Sequence, residues 1–171
     1  RAGCAMLWEL RESGHSILIV DGEEHGKHGA RYLKKSNKKL FSELNKHCYI
    51  IEFDWKGTDC CLFNQVDNTR KFKKYIENVA GFKDSKANGG TDLQVLCKHI
   101  CGVNIGVGYY GYHTCKEQLI LSEWENTLEK MKIFLQKPQR RFPISKIQHC
   151  IRSFKIIARK LLNIFKKLFR K

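Results

Sequence analysis

Apolar positions along the chain switch between two periods, and each switch marks an element. Residues Ala2–Arg11 read as a helix with Ala5, Leu7 and Trp8 on its apolar side. The pattern then closes into Ile17-Leu18-Ile19-Val20, a continuous β-branched run of the length expected of a buried strand. Helical spacing returns over Gly29–Asn45, with Ala30, Leu33, Leu40, Phe41 and Leu44 inward and Lys34, Lys35, Lys38 and Lys39 on a solvated face. Cys48–Phe53 predicts a second strand that delivers Asp54 at its end, and Asp59–Asn64 a third, hairpin-paired to it across Trp55–Thr58. Phe72, Tyr75, Ile76 and Val79 place a helix over 68–79. A polar connection, Gly81–Asn88, leads to Gly89-Gly90-Thr91-Asp92, where Thr91 or Asp92 caps a helix over Leu93–His99. Val103–Val107 predicts a fourth strand, and Leu121–Gln136 a closing amphipathic helix with Trp124, Leu128, Met131 and Leu135 inward. Strands alternating with helices predict an α/β chain, a three-layer α/β/α sandwich on a mixed, mainly parallel sheet.

Charge changes this picture at one end only. The net charge is +15, but residues 144–171 carry nine Lys/Arg and no Asp/Glu, which leaves 23 basic against 17 acidic side chains in residues 1–143. Pro138 and Pro143 bracket a linker, so the division is a domain over 1–137, a linker over 138–143 and a basic amphipathic helix over 144–171. In that tail Ile147, Ile151, Phe154, Ala158, Leu161, Leu162, Phe165, Leu168 and Phe169 share one side of a helical wheel. Such a helix suits peripheral attachment to an anionic membrane surface at the inner face, or packing on the domain or a partner protein. Nucleic acid is disfavoured, because no aromatic platform interleaves the charges. The eight cysteines form no CxxC pair and mostly sit in apolar segments, which argues for a reducing, cytoplasmic setting. The chain opens at Arg1, inside what reads as a helix, and so has the look of an N-terminally truncated piece.

The chemistry-bearing residues collect at the ends of predicted strands. Glu23 and Glu24 follow the Ile17–Val20 run through Asp21-Gly22, Asp54 ends the next strand, and His113 lies in a glycine- and tyrosine-rich stretch after the fourth. Two adjacent desolvated glutamates require a cation, a shared proton or water. A solvated turn is the plain alternative. Strand carboxyl ends share one edge of a parallel sheet, so residues remote in sequence can meet there, and a carboxylate–imidazole set suits zinc. The remaining histidines (His15, His25, His28, His47, His99 and His149) read as surface or core residues.

Four segments, ILIVDGEEHGKHGA (17–30), IIEFDWKG (50–57), GGTDLQVL (89–96) and VNIGVGYYGYHTCKE (103–117), resemble in order and spacing the di-zinc aminopeptidase family, which includes peptidase T and the bacterial leucyl aminopeptidases. The resemblance covers roughly residues 1–137. It implies hydrolysis of a peptide substrate with two zinc ions, or other divalent metals, as cofactor. It further implies Glu23 as general base, Glu24, Asp54 and His113 as metal ligands, and Tyr112 as the group that polarises the substrate carbonyl. Asp92, because it sits at a helix start, reads as a cap and a support behind the ligands. The family's other ligands, an upstream histidine and a bridging aspartate, have no counterpart in residues 1–171. One metal is thus left with Glu24 and His113 and the other with Asp54. This shortfall keeps open a second reading, a catalytically inactive remnant or interaction module.

Overall fold

The computed structural model describes residues 1–63 and 66–145. Nearly all of the basic tail assigned to 144–171 lies outside the described residues, as does Asn64 at the end of the predicted third strand. In chain order the elements are α1 (Ala2–Glu9), α2 (His28–Ser36), α3 (Lys38–Leu44), β1 (Ile50–Trp55), β2 (Cys60–Leu62), α4 (Arg70–Tyr75) running on into a π-helical turn (Ile76–Ala80), β3 (Lys83–Asp84), α5 (Leu93–Leu96), β4 (Gly102–Gly106), β5 (Tyr109–Tyr110), β6 (Gln118–Leu119) and α6 (Leu121–Leu135). Four strands form a sheet in the order β1-β4-β2-β3, while β5 and β6 form a separate hairpin. The β1/β4 and β2/β3 pairs are parallel and the β2/β4 pair is antiparallel. The fold is therefore α/β with a mixed sheet that includes parallel strands.

Local chemistry explains where the helices begin and end. Thr69 Oγ1 accepts from the Phe72 backbone N–H at 3.1 Å and starts α4. Asn37 leaves helical geometry and its Oδ1 accepts from Leu40 N–H at 3.0 Å, so it caps α3 and divides the single helix predicted over 29–45 into two. Two buried or half-buried asparagines then fasten loops, one to the sheet and one to the end of α5. Asn68 exchanges a pair of hydrogen bonds with the backbone of Gly102, at 2.8 and 3.0 Å. Asn45 donates to Leu96 O and accepts from Lys98 and His99 N–H, satisfying the carbonyl and amides at the end of α5.

The main core gathers Met6 of α1, Phe63, Phe72 and Ile76, Val103 and Ile105 of β4, and Leu128, Met131 and Phe134 of α6. Cys61 and Cys101 are fully buried within it and act as small apolar residues. A smaller cluster of Ala30, Leu33 and Leu96 joins α2 to α5. Leu128, Met131 and the half-buried Trp124 and Leu135 face inward as the spacing predicts.

Two expectations are corrected. Ile17–Val20 is not a strand among the described residues: none of the backbone hydrogen bonds found there involves it. Leu18 packs on the α2–α5 cluster, whereas Ile17 and Ile19 are 40% and 65% exposed. The alternation is that of a one-sided strand, but a strand exists only when a neighbour supplies the ladder, and here none does. The second correction concerns β2, which does not form a hairpin with β1. β4 lies between them, because the connection from β1 carries the chain past a strand that arrives only forty residues later. No helix among the described residues is long and apolar enough to cross a membrane.

The two exposures generate a direct contrast. Ile19→Lys should leave stability within about 0.5 kcal/mol of the parent, while Phe72→Ala, which empties a fully buried site, should cost about 3–5 kcal/mol. Urea unfolding followed by circular dichroism checks both. A loss of several kcal/mol in Ile19→Lys would show that Ile19 is covered in solution.

Candidate functional site

The residues that sequence reading singled out arrive from four separate stretches of chain, each shaped by its own local constraint. The first is the turn Asp21–Gly29. His28 N–H donates to Gly22 O and Gly29 N–H to Asp21 O, at 3.1 and 3.0 Å, folding the segment back on itself. Gly26 and Lys27 N–H both donate to Glu23 O, with Lys27 in the left-handed region. A Cβ on Gly29 would lie 2.7 Å from Asp21 Oδ1, so only glycine lets α2 begin this close to the turn. The bend leaves the Glu23 side chain mostly buried and the Glu24 side chain mostly exposed.

The second stretch is the end of β1. The β1/β4 register pairs Glu52 with Asn104 and Trp55 with Gly106, so β1 spends three residues where β4 spends two. This irregularity takes the Asp54 N–H out of the ladder, and the fully buried Asn104 supplies the substitute acceptor, Oδ1 at 2.8 Å. The third stretch, Asn88–Thr91, passes beside Trp55. Asp92 occupies the N-cap position of α5, as predicted, but its side chain makes no capping bond. It is buried, and its backbone N–H donates to Glu52 Oε1 at 3.2 Å.

The fourth stretch is the loop closed by the β5–β6 hairpin. Thr114 Oγ1 donates to Gly111 O and accepts from Lys116 N–H, and His113 adopts a left-handed conformation, φ 60°. Holding a non-glycine residue there costs of order 1 kcal/mol or more. The result aims the imidazole at Glu24: Nε2 and Oε2 are 3.5 Å apart. Tyr112 stands edge-on to the His113 ring, with centroids 5.3 Å apart.

Together these stretches enclose a cavity of about 130 Å³ lined by Glu23, Glu24, Asp54, Tyr112 and His113, with Trp55, Lys56, Tyr109 and the 88–91 backbone completing it. All five residues assigned as base, ligands or carbonyl-polarising group thus reach one space. Asp92 does not line it; its neighbour Thr91 does. Sequence reading missed Lys56, Tyr109 and Asn104. Lys56 Nζ donates to Tyr112 Oη at 3.0 Å, and Tyr109 Oη donates to the Asp54 carbonyl at 3.1 Å. The available signal for Lys56 and Tyr109 was their adjacency to Asp54 and Tyr112. Nothing in the sequence marks Asn104 as more than a residue of a short strand.

Crowded carboxylates set the electrostatics. Loss of surrounding water, then the charges of Glu23 and Glu24, push Asp54 from 3.8 up to about 6. Burial, then the Glu23 charge, raises Asp92 to about 6, against the lowering effect of Lys27. Burial, then the Asp54 charge, raises Glu52 from 4.5 to about 8. Among the described residues, Glu52 Oε2 and Asp92 Oδ1 are buried with no hydrogen-bond partner. Lys27 Nζ lies 3.2 Å from Glu23 Oε1, an ion pair that lacks hydrogen-bond alignment.

The donor types suit zinc, but the donor number does not. Among the described residues no group of three His, Cys, Asp or Glu side chains is placed to hold a metal ion, and catalytic zinc takes three protein ligands. Glu24 and His113 make a pair, with Asp54 apart from it. The described residues therefore do not complete a catalytic zinc site. No protein-family model, curated protein or solved structure matches the chain.

Two expectations follow from this geometry. Asn104→Leu leaves the Asp54 N–H unsatisfied and should cost about 1–3 kcal/mol in urea unfolding; no loss would mean that the Asp54 amide is satisfied elsewhere. A carboxyl raised on folding binds more protons folded than unfolded, so stability falls as pH climbs from the ordinary value to the raised one. Asp54 and Asp92 act this way up to about 6 and Glu52 up to about 8. The thermal midpoint should therefore drop between about pH 5 and 8, and Glu52→Gln should flatten the part above pH 6. A midpoint that rises over this range contradicts the burial of these groups.

Proposed function

We propose that the cavity is part of a peptide-hydrolysing site of the di-zinc aminopeptidase type, in a three-layer α/β/α domain. This chain would contribute the general base and an incomplete set of divalent-metal ligands. The observation that supports the reading is the arrival of Glu23, Glu24, Asp54, Tyr112 and His113, from three distant segments, at one cavity.

Each residue has a chemical task in this reading. Glu23 takes a proton from the attacking water and returns it to the leaving amine, work for which a carboxylate beside but not within the metal ligands is suited. Tyr112 accepts a hydrogen bond from Lys56, which leaves its own O–H free to donate to the scissile carbonyl as negative charge develops there. Glu24, His113 and Asp54 are the metal ligands, and Asp92 supports the wall behind Glu23.

The shortfall in ligands favours a second reading, an inactive remnant or interaction module. The two readings part on one experiment. The full chain and its Glu23→Gln variant are given a free-amino tripeptide with zinc, and zinc affinity is measured alongside by calorimetry. The hydrolase reading expects weak zinc binding, slow zinc-dependent cleavage, and at least about a hundredfold loss of cleavage in Glu23→Gln with zinc affinity retained. Cleavage that survives Glu23→Gln removes Glu23 as the base. Zinc binding with no cleavage by the parent chain supports the remnant.

A further inference from the structure

We infer that Lys56 is a docking point for a substrate carboxylate, so that the cleft selects short peptides with a free C-terminus over amidated or internal segments. The inference rests on the peptide-hydrolysing reading and deepens it by naming the substrate class.

Three observations carry it. First, the cavity is small. At about 130 Å³ it falls below the ~300–1,000 Å³ of sites that enclose drug-sized ligands. A site of this size suits a short peptide rather than a long segment. Second, its charge is divided. Glu23, Glu24 and Asp54 are committed to the base and metal-ligand roles of the peptide-hydrolysing reading, and Lys56 is the sole Lys or Arg among the lining residues. Third, that cation is held but not neutralised. No ion pair among the described residues involves Lys56, in contrast to Lys27, whose Nζ lies 3.2 Å from Glu23.

Lys56 is instead placed by aromatic surfaces. Its Nζ lies 4.2 Å from the Tyr112 ring centroid and 5.7 Å from that of Trp55, and it donates one hydrogen bond to Tyr112 Oη. Such contacts fix a flexible ammonium without discharging it. An ammonium carries three N–H donors, so two remain for an incoming anion, and part of the ordering cost is already met before the ligand arrives.

The test uses the full chain and reads binding as well as turnover. The tripeptide Leu-Gly-Gly and its C-terminal amide are titrated while the Trp55 indole resonance, identified with Trp55→Phe, is followed by nuclear magnetic resonance. The free acid should bind roughly fivefold more tightly than the amide, the scale of a partly exposed ion pair. Lys56→Met should bring the two affinities together, Lys56→Arg should preserve the preference, and Lys34→Met, on the outer face of α2, should not alter it. Equal affinities in the parent chain, a preference that survives Lys56→Met, or no Trp55 response to either peptide at about 10 mM overturns the assignment. The two proposals can fail separately. A Lys56-dependent acid preference without cleavage supports carboxylate docking and removes the hydrolase reading. Glu23-dependent cleavage that is indifferent to the C-terminal carboxylate removes the docking point alone.

Discussion

The cavity depends on a backbone pairing that continues past the end of the sheet. Beyond the β1/β4 ladder, Val107 N–H donates to Trp55 O, Gly108 N–H to Gly57 O, and Gly57 N–H to Tyr109 O, at 2.8–3.0 Å. These three bonds carry the segment leading to Tyr112 and His113 alongside the segment that bears Asp54 and Lys56. The approach is close enough that a Cβ on Gly106 would lie 2.5 Å from Gly57 O, so the zipper tolerates no side chain at that point. A parallel pair places both strand ends at one edge, and this one holds the two loops together for several further residues. Without it the acidic and imidazole groups would belong to unrelated loops.

The second consequence is a price in charge. Glu52, Asp54 and Asp92 all have raised pKa values, and in each case loss of water comes first and a neighbouring carboxylate second. Buried like charges oppose folding near neutral pH, so these three carboxyls detract from stability there. Asn104 carries a cost as well. It is fully buried, and its amide nitrogen finds no partner among the described residues while its oxygen is committed to the Asp54 backbone.

Much of this was legible in the sequence, for physical reasons that can be named. Leu128 and Met131 sit on a helix long enough for its 3.6 period to stand out, and the bounds of α6 match expectation to within one residue, although the buried Phe134 was not singled out. Asp54 and His113 follow short apolar runs, and the rule that α/β chains gather chemistry at strand ends identifies them. The Ile17–Val20 run misled because an apolar run records what a segment can bury, whereas a strand also requires a partner. The order of β1, β4 and β2 was hidden for a related reason, since adjacency in sequence argues for a hairpin and only the three-dimensional ladder reveals the intervening strand. Asn104 was invisible because its role is defined by a contact with Asp54, fifty positions away, whereas for Lys56 the nearness to Asp54 was a signal but the bond to Tyr112 was not.

The most direct test of the account is whether the four segments surround one cation-attracting space in solution. Titration with Mn²⁺ while backbone amide resonances are recorded would show which residues lie near the ion, through paramagnetic broadening. Broadening should concentrate on residues 23–24, 54–56, 88–91 and 112–113 at once, with exposed carboxylates such as Glu129 little affected. Broadening spread over the exposed acidic surface, or confined to a single one of these segments, would contradict it.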